Sequence, residues 1–160
     1  MNVNGVRIIK RNDKNMKIIL LVITCIYMLW ISVEDIIKKM LSVKMLILGF
    51  MLVPVFLFVF DEIPFYDRIL GMLPGVLMLI CSIVSRGRIG YADGFVILML
   101  GICMGLADVI LITTIAFLTI GIFSAVMIAL KKIRFKSTIP FIPFMFIGFL
   151  AAMVSLLRRI

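Results

Sequence analysis

The sequence predicts an all-α fold: a polytopic membrane protein with six transmembrane helices. Three observations carry this. The chain is 64% hydrophobic with a mean hydropathy of +1.29, far beyond what soluble domains show. Its charged residues, 16% of the total, are gathered into short stretches between long apolar runs. Those runs approach the roughly 20 residues that a helix needs to cross a bilayer, within a usual range of about 17–25.

Taking the charges as punctuation, the spans fall at Ile18–Val33, Met45–Phe60, Ile69–Val84, Ile89–Ala107, Val109–Leu130 and Ile139–Leu157. The first follows a basic tail, residues 1–17, with Arg7, Lys10, Arg11, Lys14 and Lys17. It is longer than a secretory h-region, and Val33-Glu34-Asp35 offers no small-x-small cleavage site, so it reads as a retained span. Short runs such as Met45–Phe60 gain length from flanking residues and from Lys and Arg side chains that reach the interface. Six helices within residues 18–160 leave little chain for a soluble domain, so this stretch is one compact bundle.

Several function classes are excluded at this level. The net charge of +9 is divided among the tail and the loops, without a basic helix or an aromatic-lined sheet, so membrane topology accounts for it and nucleic acid does not. Cys25, Cys81 and Cys103 all lie inside apolar runs and make no Cys-x-x-Cys pair. With no histidine in the chain, neither a metal site nor any other cofactor is expected.

Parity orders the loops. The connections at Glu34–Lys44 and Ser85–Arg88 are two spans apart, so Asp35 and Asp93 belong to one membrane face. Asp61, Glu62, Asp67 and Asp108 belong to the other. The first, third and fifth loops hold nine Lys and Arg residues; the opposite side holds eight including the tail, but only three without it. The positive-inside rule then makes the odd loops cytoplasmic. The basic tail opposes this orientation, a conflict that translation from Met16 would remove.

Asp93 is the residue that most needs a reason. An acid inside an apolar run costs about 2.5–3.5 kcal/mol to insert, and such residues are usually functional or paired. It sits in Gly90-Tyr91-Ala92-Asp93-Gly94, and Gly90, Gly94, Gly101 and Gly105 include two Gly-x-x-x-Gly spacings that allow close helix approach. Small residues around the acid would also admit an extended peptide. The segment resembles the GxGD signature of membrane aspartyl proteases, and the type IV prepilin peptidase family in particular. Asp35 falls where that family has its first aspartate, at the end of the first span and followed by Lys38 and Lys39. Ile139-Pro140-Phe141-Ile142-Pro143-Phe144 resembles the proline-containing start of the family's last helix. Pro140 is expected at the first turn, with Pro143 a turn deeper leaving backbone carbonyls free.

The resemblance extends from about Ile18 to Leu157, with departures. Ala92 replaces the second glycine of GxGD, and Leu41-Ser42-Val43 stands where Ile-Pro-Asn is frequent. The cysteine-bearing cytoplasmic domain of larger members is missing from the first loop, so this is a minimal form without support for methylation.

The resemblance implies an aspartyl endopeptidase of the cytoplasmic membrane that cleaves the basic leader of prepilin-like precursors. Asp35 and Asp93 would be catalytic, Gly90, Ala92, Gly94, Pro140 and Pro143 would line the substrate, and pilus or secretion machinery would be the associated partner. Paired carboxylates sharing one proton need neither histidine nor metal for this reaction. Structural roles compete: Asp35 could pair with Lys38 or Lys39, and Asp93 with Arg86 or Arg88. A second reading also stays open, a non-enzymatic bundle such as a small transporter subunit or an inactive relative, because intramembrane acids also mark ion pathways.

Overall fold

The computed structural model describes residues 3–38, 41–85, 90–131 and 139–159, with side chains from Lys14 to Arg158 within those segments. They form six helices: α1 (Val3–Lys38), α2 (Val43–Val59), α3 (Phe65–Val84), α4 (Tyr91–Met104), α5 (Leu106–Ala129) and α6 (Ile142–Arg159). Each predicted run thus became one helix. The described part of the basic tail, from Val3, is helical and runs into the first apolar run without a break in α1.

The helices are not equivalent membrane segments. Lys14–Lys38, Phe65–Val84 and Leu106–Ala129 are long and apolar enough to cross a bilayer, whereas Val43–Val59, Tyr91–Met104 and Ile142–Arg158 are shorter apolar helices. The expectation of six full-length spans therefore holds by length for three. α4 is the extreme case: its 14 residues make about 21 Å of helix, against roughly 30 Å of hydrocarbon. It was expected to reach Ala107, but it stops at Gly105, which adopts φ 83° and ψ 179°. That left-handed φ suits glycine and ends the helical hydrogen bonding there.

α4 is also the centre of the molecule. Gly94, Val96, Ile97, Met99, Leu100, Gly101, Cys103 and Met104 are all buried, and α2, α3 and α5 pack around it. The closest of these contacts is with α3, where backbone meets backbone. A Cβ on Gly71 would come within 2.5 Å of the Gly101 carbonyl oxygen, and one on Gly75 would come within 2.5 Å of Leu98 N. The α3 pair Gly71-x-x-x-Gly75 is therefore the close-packing motif. Gly90 and Gly105 instead occupy the ends of α4, so neither predicted Gly-x-x-x-Gly in this segment acts as a helix-packing pair.

The outer faces are apolar as well. Phe58 is 89% exposed, Val84 77% and Ile37 73%, a surface that a bilayer solvates and water does not. α6 closes the bundle against α1 and α5. Its Gly148 lies against the backbone of Ile112, and ring pairs Phe117–Phe141 and Phe123–Phe144, with centroids 5.1 and 5.4 Å apart, fix its first turn on α5.

Candidate active site

Three helix ends converge on one side of the bundle: the last turn of α1, the first turn of α4 and the first turn of α6. Tyr27 sets the base of this arrangement. Its hydroxyl donates to the Met45 carbonyl at 2.9 Å, fastening α1 to the start of α2, and its ring lies against Gly49, where a side chain would collide with it.

Two turns further along α1, Glu34 and Asp35 take different directions. Glu34 Oε1 accepts from Lys38 Nζ at 2.7 Å across one helical turn. Lys38 was one of the competing structural partners for Asp35, but the Glu-to-Lys i,i+4 spacing is the favourable one, and Glu34 takes it. Asp35, about 100° round the helix, is 8% exposed and faces α6. There its Oδ2 accepts a hydrogen bond from the Ile142 N–H at 3.2 Å, and the Phe141 amide acts on the same carboxylate.

Helix α6 begins one residue before Pro143. This corrects the expectation that Pro143 lies a turn deep and frees carbonyls. It occupies the first turn, where an N–H would have had no intrahelical acceptor anyway. Phe141 starts the helix by accepting from Phe144 N and Met145 N at 3.1 and 3.2 Å. Among Pro140, Phe141, Ile142 and Pro143, only the middle two have an amide proton, and both are directed at Asp35.

Asp93 lies in the first turn of α4, three residues after the N-cap Gly90. An acid there is favoured by the unsatisfied amides and the positive end of the helix dipole. Its carboxylate folds back over Gly90, so closely that a Cβ on that glycine would be 2.8 Å from Asp93 Oδ2. Among the described residues, Asp35 is the charged group whose field acts on Asp93. The two acids, remote in sequence, are thus brought within electrostatic reach at one end of the bundle.

The remaining sequence-predicted positions divide. Gly90 supports the Asp93 carboxylate directly. Ala92 is half-buried beside it, and Pro140 and Pro143, also half-buried, flank the amides that meet Asp35. Gly94 points elsewhere: it is buried against α3, where its Cβ would lie 2.7 Å from Leu79 Cδ2. Lys39, Arg86 and Arg88, the other competing partners, lie outside the described residues.

The opposite end of the bundle uses its charges differently, and Arg68 is the residue sequence reasoning missed. It is 5% exposed, and its guanidinium donates to the carbonyls of Ile63 at 3.3 Å, Ile102 at 2.9 Å and Phe60. The α2 and α4 ends thereby gain donors for carbonyls that helix geometry leaves open. Asp67 Oδ1 accepts from the Leu106 N–H at 3.4 Å at the start of α5, and Glu62 pairs with Lys17 at 2.8 Å. Asp108 is buried in the first turn of α5, at the same end as Asp67 and Glu62. The one available signal was an arginine immediately before an apolar run, close in sequence to a helix end. Among the described residues, no group of three or more His, Cys, Asp or Glu side chains is placed to hold a metal ion.

A model of the type IV leader peptidase family matches residues 22–126, about two thirds of the chain. The chain belongs to this family. The match takes in both Asp35 and Asp93, beginning within α1 and ending within α5, before the Ile142 contact of α6. No curated protein and no solved structure matches the chain.

Proposed function

We propose that this leader peptidase is an aspartyl endopeptidase that removes the basic leader of prepilin-like precursors, using Asp35 and Asp93 as its catalytic pair. The observation that carries the proposal is the convergence of these two carboxylates from α1 and α4 at one end of the bundle. On this reading all six helices are membrane segments, the shorter ones embedded among the longer, and that end lies at a membrane face; the three helices long and apolar enough to cross a bilayer support it. A cytoplasmic site is part of the same proposal, supported under the positive-inside rule by the basic loops that include Lys38, Lys44 and Lys131.

The chemistry follows from two carboxyls sharing one proton. The ionised one takes a proton from water as the water oxygen attacks the scissile carbonyl carbon. The protonated one gives its proton to the carbonyl oxygen, producing a gem-diol. On collapse the C–N bond breaks, the amine nitrogen takes the proton received from water, and a diol hydroxyl returns its proton to the second carboxyl. The products are a free acid and a free amine, and the dyad is restored. The substrate reading is a basic leader followed by a hydrophobic helix, cut where the chain leaves the bilayer. Pilus or secretion machinery would then be the consumer of the product.

Arg68 and Asp67 satisfy helix ends and Glu62 pairs with Lys17, uses that favour this reading over an ion pathway, which would need acids available at several depths. The test is processing of a co-expressed prepilin-like precursor. Asp35→Asn and Asp93→Asn should each abolish cleavage while the protein remains inserted in the membrane. Normal processing by either variant would remove that residue from the catalytic pair.

A further inference from the structure

We propose that the Pro140-Phe141-Ile142-Pro143 turn is an amide clamp that makes Asp35 the water-activating base and leaves the shared proton on Asp93. This rests on the peptidase reading and deepens it, by giving each carboxyl of the pair its own role.

The argument begins with an asymmetry. The Ile142 N–H donates to Asp35 Oδ2, and the Phe141 amide acts on the same group. Hydrogen bonds donated by amides favour the ionised form of a carboxyl. Among the described residues, no group donates a hydrogen bond to Asp93; burial and mutual repulsion act on both carboxyls and do not distinguish them, so the donated hydrogen bond is the asymmetry. When two neighbouring carboxyls hold one proton, the proton resides on the member without donors.

The sequence of the turn enforces this. Both prolines lack an N–H, so only Phe141 and Ile142 can donate in this stretch, and Pro143 sits in the first turn of α6 without breaking it. The positions of these amides are fixed by packing: Ile142 is wholly buried, and Phe141 is held against Phe117 of α5. The positive end of the α6 dipole points at Asp35 as that of α4 does at Asp93, so the dipoles do not separate the two acids and the directed amide hydrogen bond does.

Other charges around Asp35 do not duplicate the effect. On α1, Glu34 and Lys38 bind each other. Lys44 of α2 and Lys131 after α5 are exposed, and the first two turns of α6 have only apolar side chains. From α4 the facing group is Asp93 itself. Lys39, Arg86, Arg88 and the basic residues between 132 and 136 lie outside the described residues.

The experiment is a pH profile of precursor cleavage by the purified full chain in detergent. Ile142→Pro deletes the donor at a helix position where proline is well tolerated. The acid limb of kcat/KM should move to higher pH by about one unit, read as about tenfold slower cleavage on the acid side, with KM unchanged on the plateau. Ile142→Val, which keeps the N–H, should retain the wild-type profile. If Ile142→Pro does not fold, judged by thermal unfolding, the α-hydroxy analogue of isoleucine at position 142 removes the same proton through an ester bond. An acid limb that stays in place overturns the clamp, and so does a uniform loss at every pH. These outcomes are separate from failure of the peptidase reading, which is decided by Asp35→Asn and Asp93→Asn.

Discussion

Gly90→Ala should separate catalysis from folding. Gly90 has φ −64° and ψ 123°, a conformation open to alanine, so the backbone tolerates the change. The added methyl would lie 2.8 Å from Asp93 Oδ2, 3.3 Å from its Cγ and 3.7 Å from Oδ1. Ordinary contacts begin at about 3.4 Å, so the carboxylate must retreat by about 0.6 Å from the methyl. A side-chain end can do so at small cost, and the loss of an N-cap glycine adds about 1 kcal/mol at most. Catalytic geometry is less forgiving: a displacement near 1 Å costs about 100-fold in rate. We expect kcat to fall about 10- to 100-fold, equivalent to about 1.4–2.7 kcal/mol in the barrier, with thermal stability close to wild type. The assay is single-turnover cleavage of a prepilin-like precursor beside thermal unfolding in the same detergent. Gly101→Ala supplies the contrast, because its methyl would run into the Gly71 backbone and force α3 from α4. Wild-type kcat in Gly90→Ala, or instability as severe as that of Gly101→Ala, would refute the placement of Asp93 over Gly90.

Two further outcomes test the rest of the bundle. Arg68→Met should lower thermal stability by about 3 kcal/mol or more, since it leaves the carbonyls of Phe60, Ile63 and Ile102 without their donor; stability within about 1 kcal/mol of wild type would contradict that role. Glu34→Gln should process precursor within about threefold of wild type, because Glu34 is engaged with the largely exposed Lys38 and such pairs contribute little. Loss of cleavage comparable to Asp35→Asn would show that the two adjacent acids had been assigned the wrong way round.

The parts of this fold that were legible in the sequence were those dictated by solvent. A bilayer segregates charge from apolar runs, so the six helices, and Asp35 and Asp93 at one end of the bundle, followed from punctuation and parity. Contacts between helices are set by geometry instead, and there the reading slipped. Hydropathy cannot show that Gly105 will end α4 rather than pack within it, because that depends on a single positive φ. Nor does spacing distinguish Gly71 and Gly75, which meet α4, from Gly90, which lies under a carboxylate. Pro143 was placed a turn too deep because the start of α6 is set by tertiary contacts of Phe141 and Ile142 rather than by a local capping side chain. The choice of Lys38 between Glu34 and Asp35 was decided by one residue of helical phase, which the i,i+4 preference could have supplied.

The shortness of α4 has a consequence for where a substrate must go. Its far end is held by Arg68 and Gly105, and Asp93 stands in its first turn, so in the proposed arrangement, with α4 set across the bilayer, the length of this one helix fixes how deep the acid lies. About 21 Å of helix in roughly 30 Å of hydrocarbon leaves some 9 Å to be shared between the two surfaces. A bond to be cut has to descend to the acid, and water has to follow it. α4 is in this sense a ruler, and one turn added to it would move the acid about 5.4 Å toward the surface.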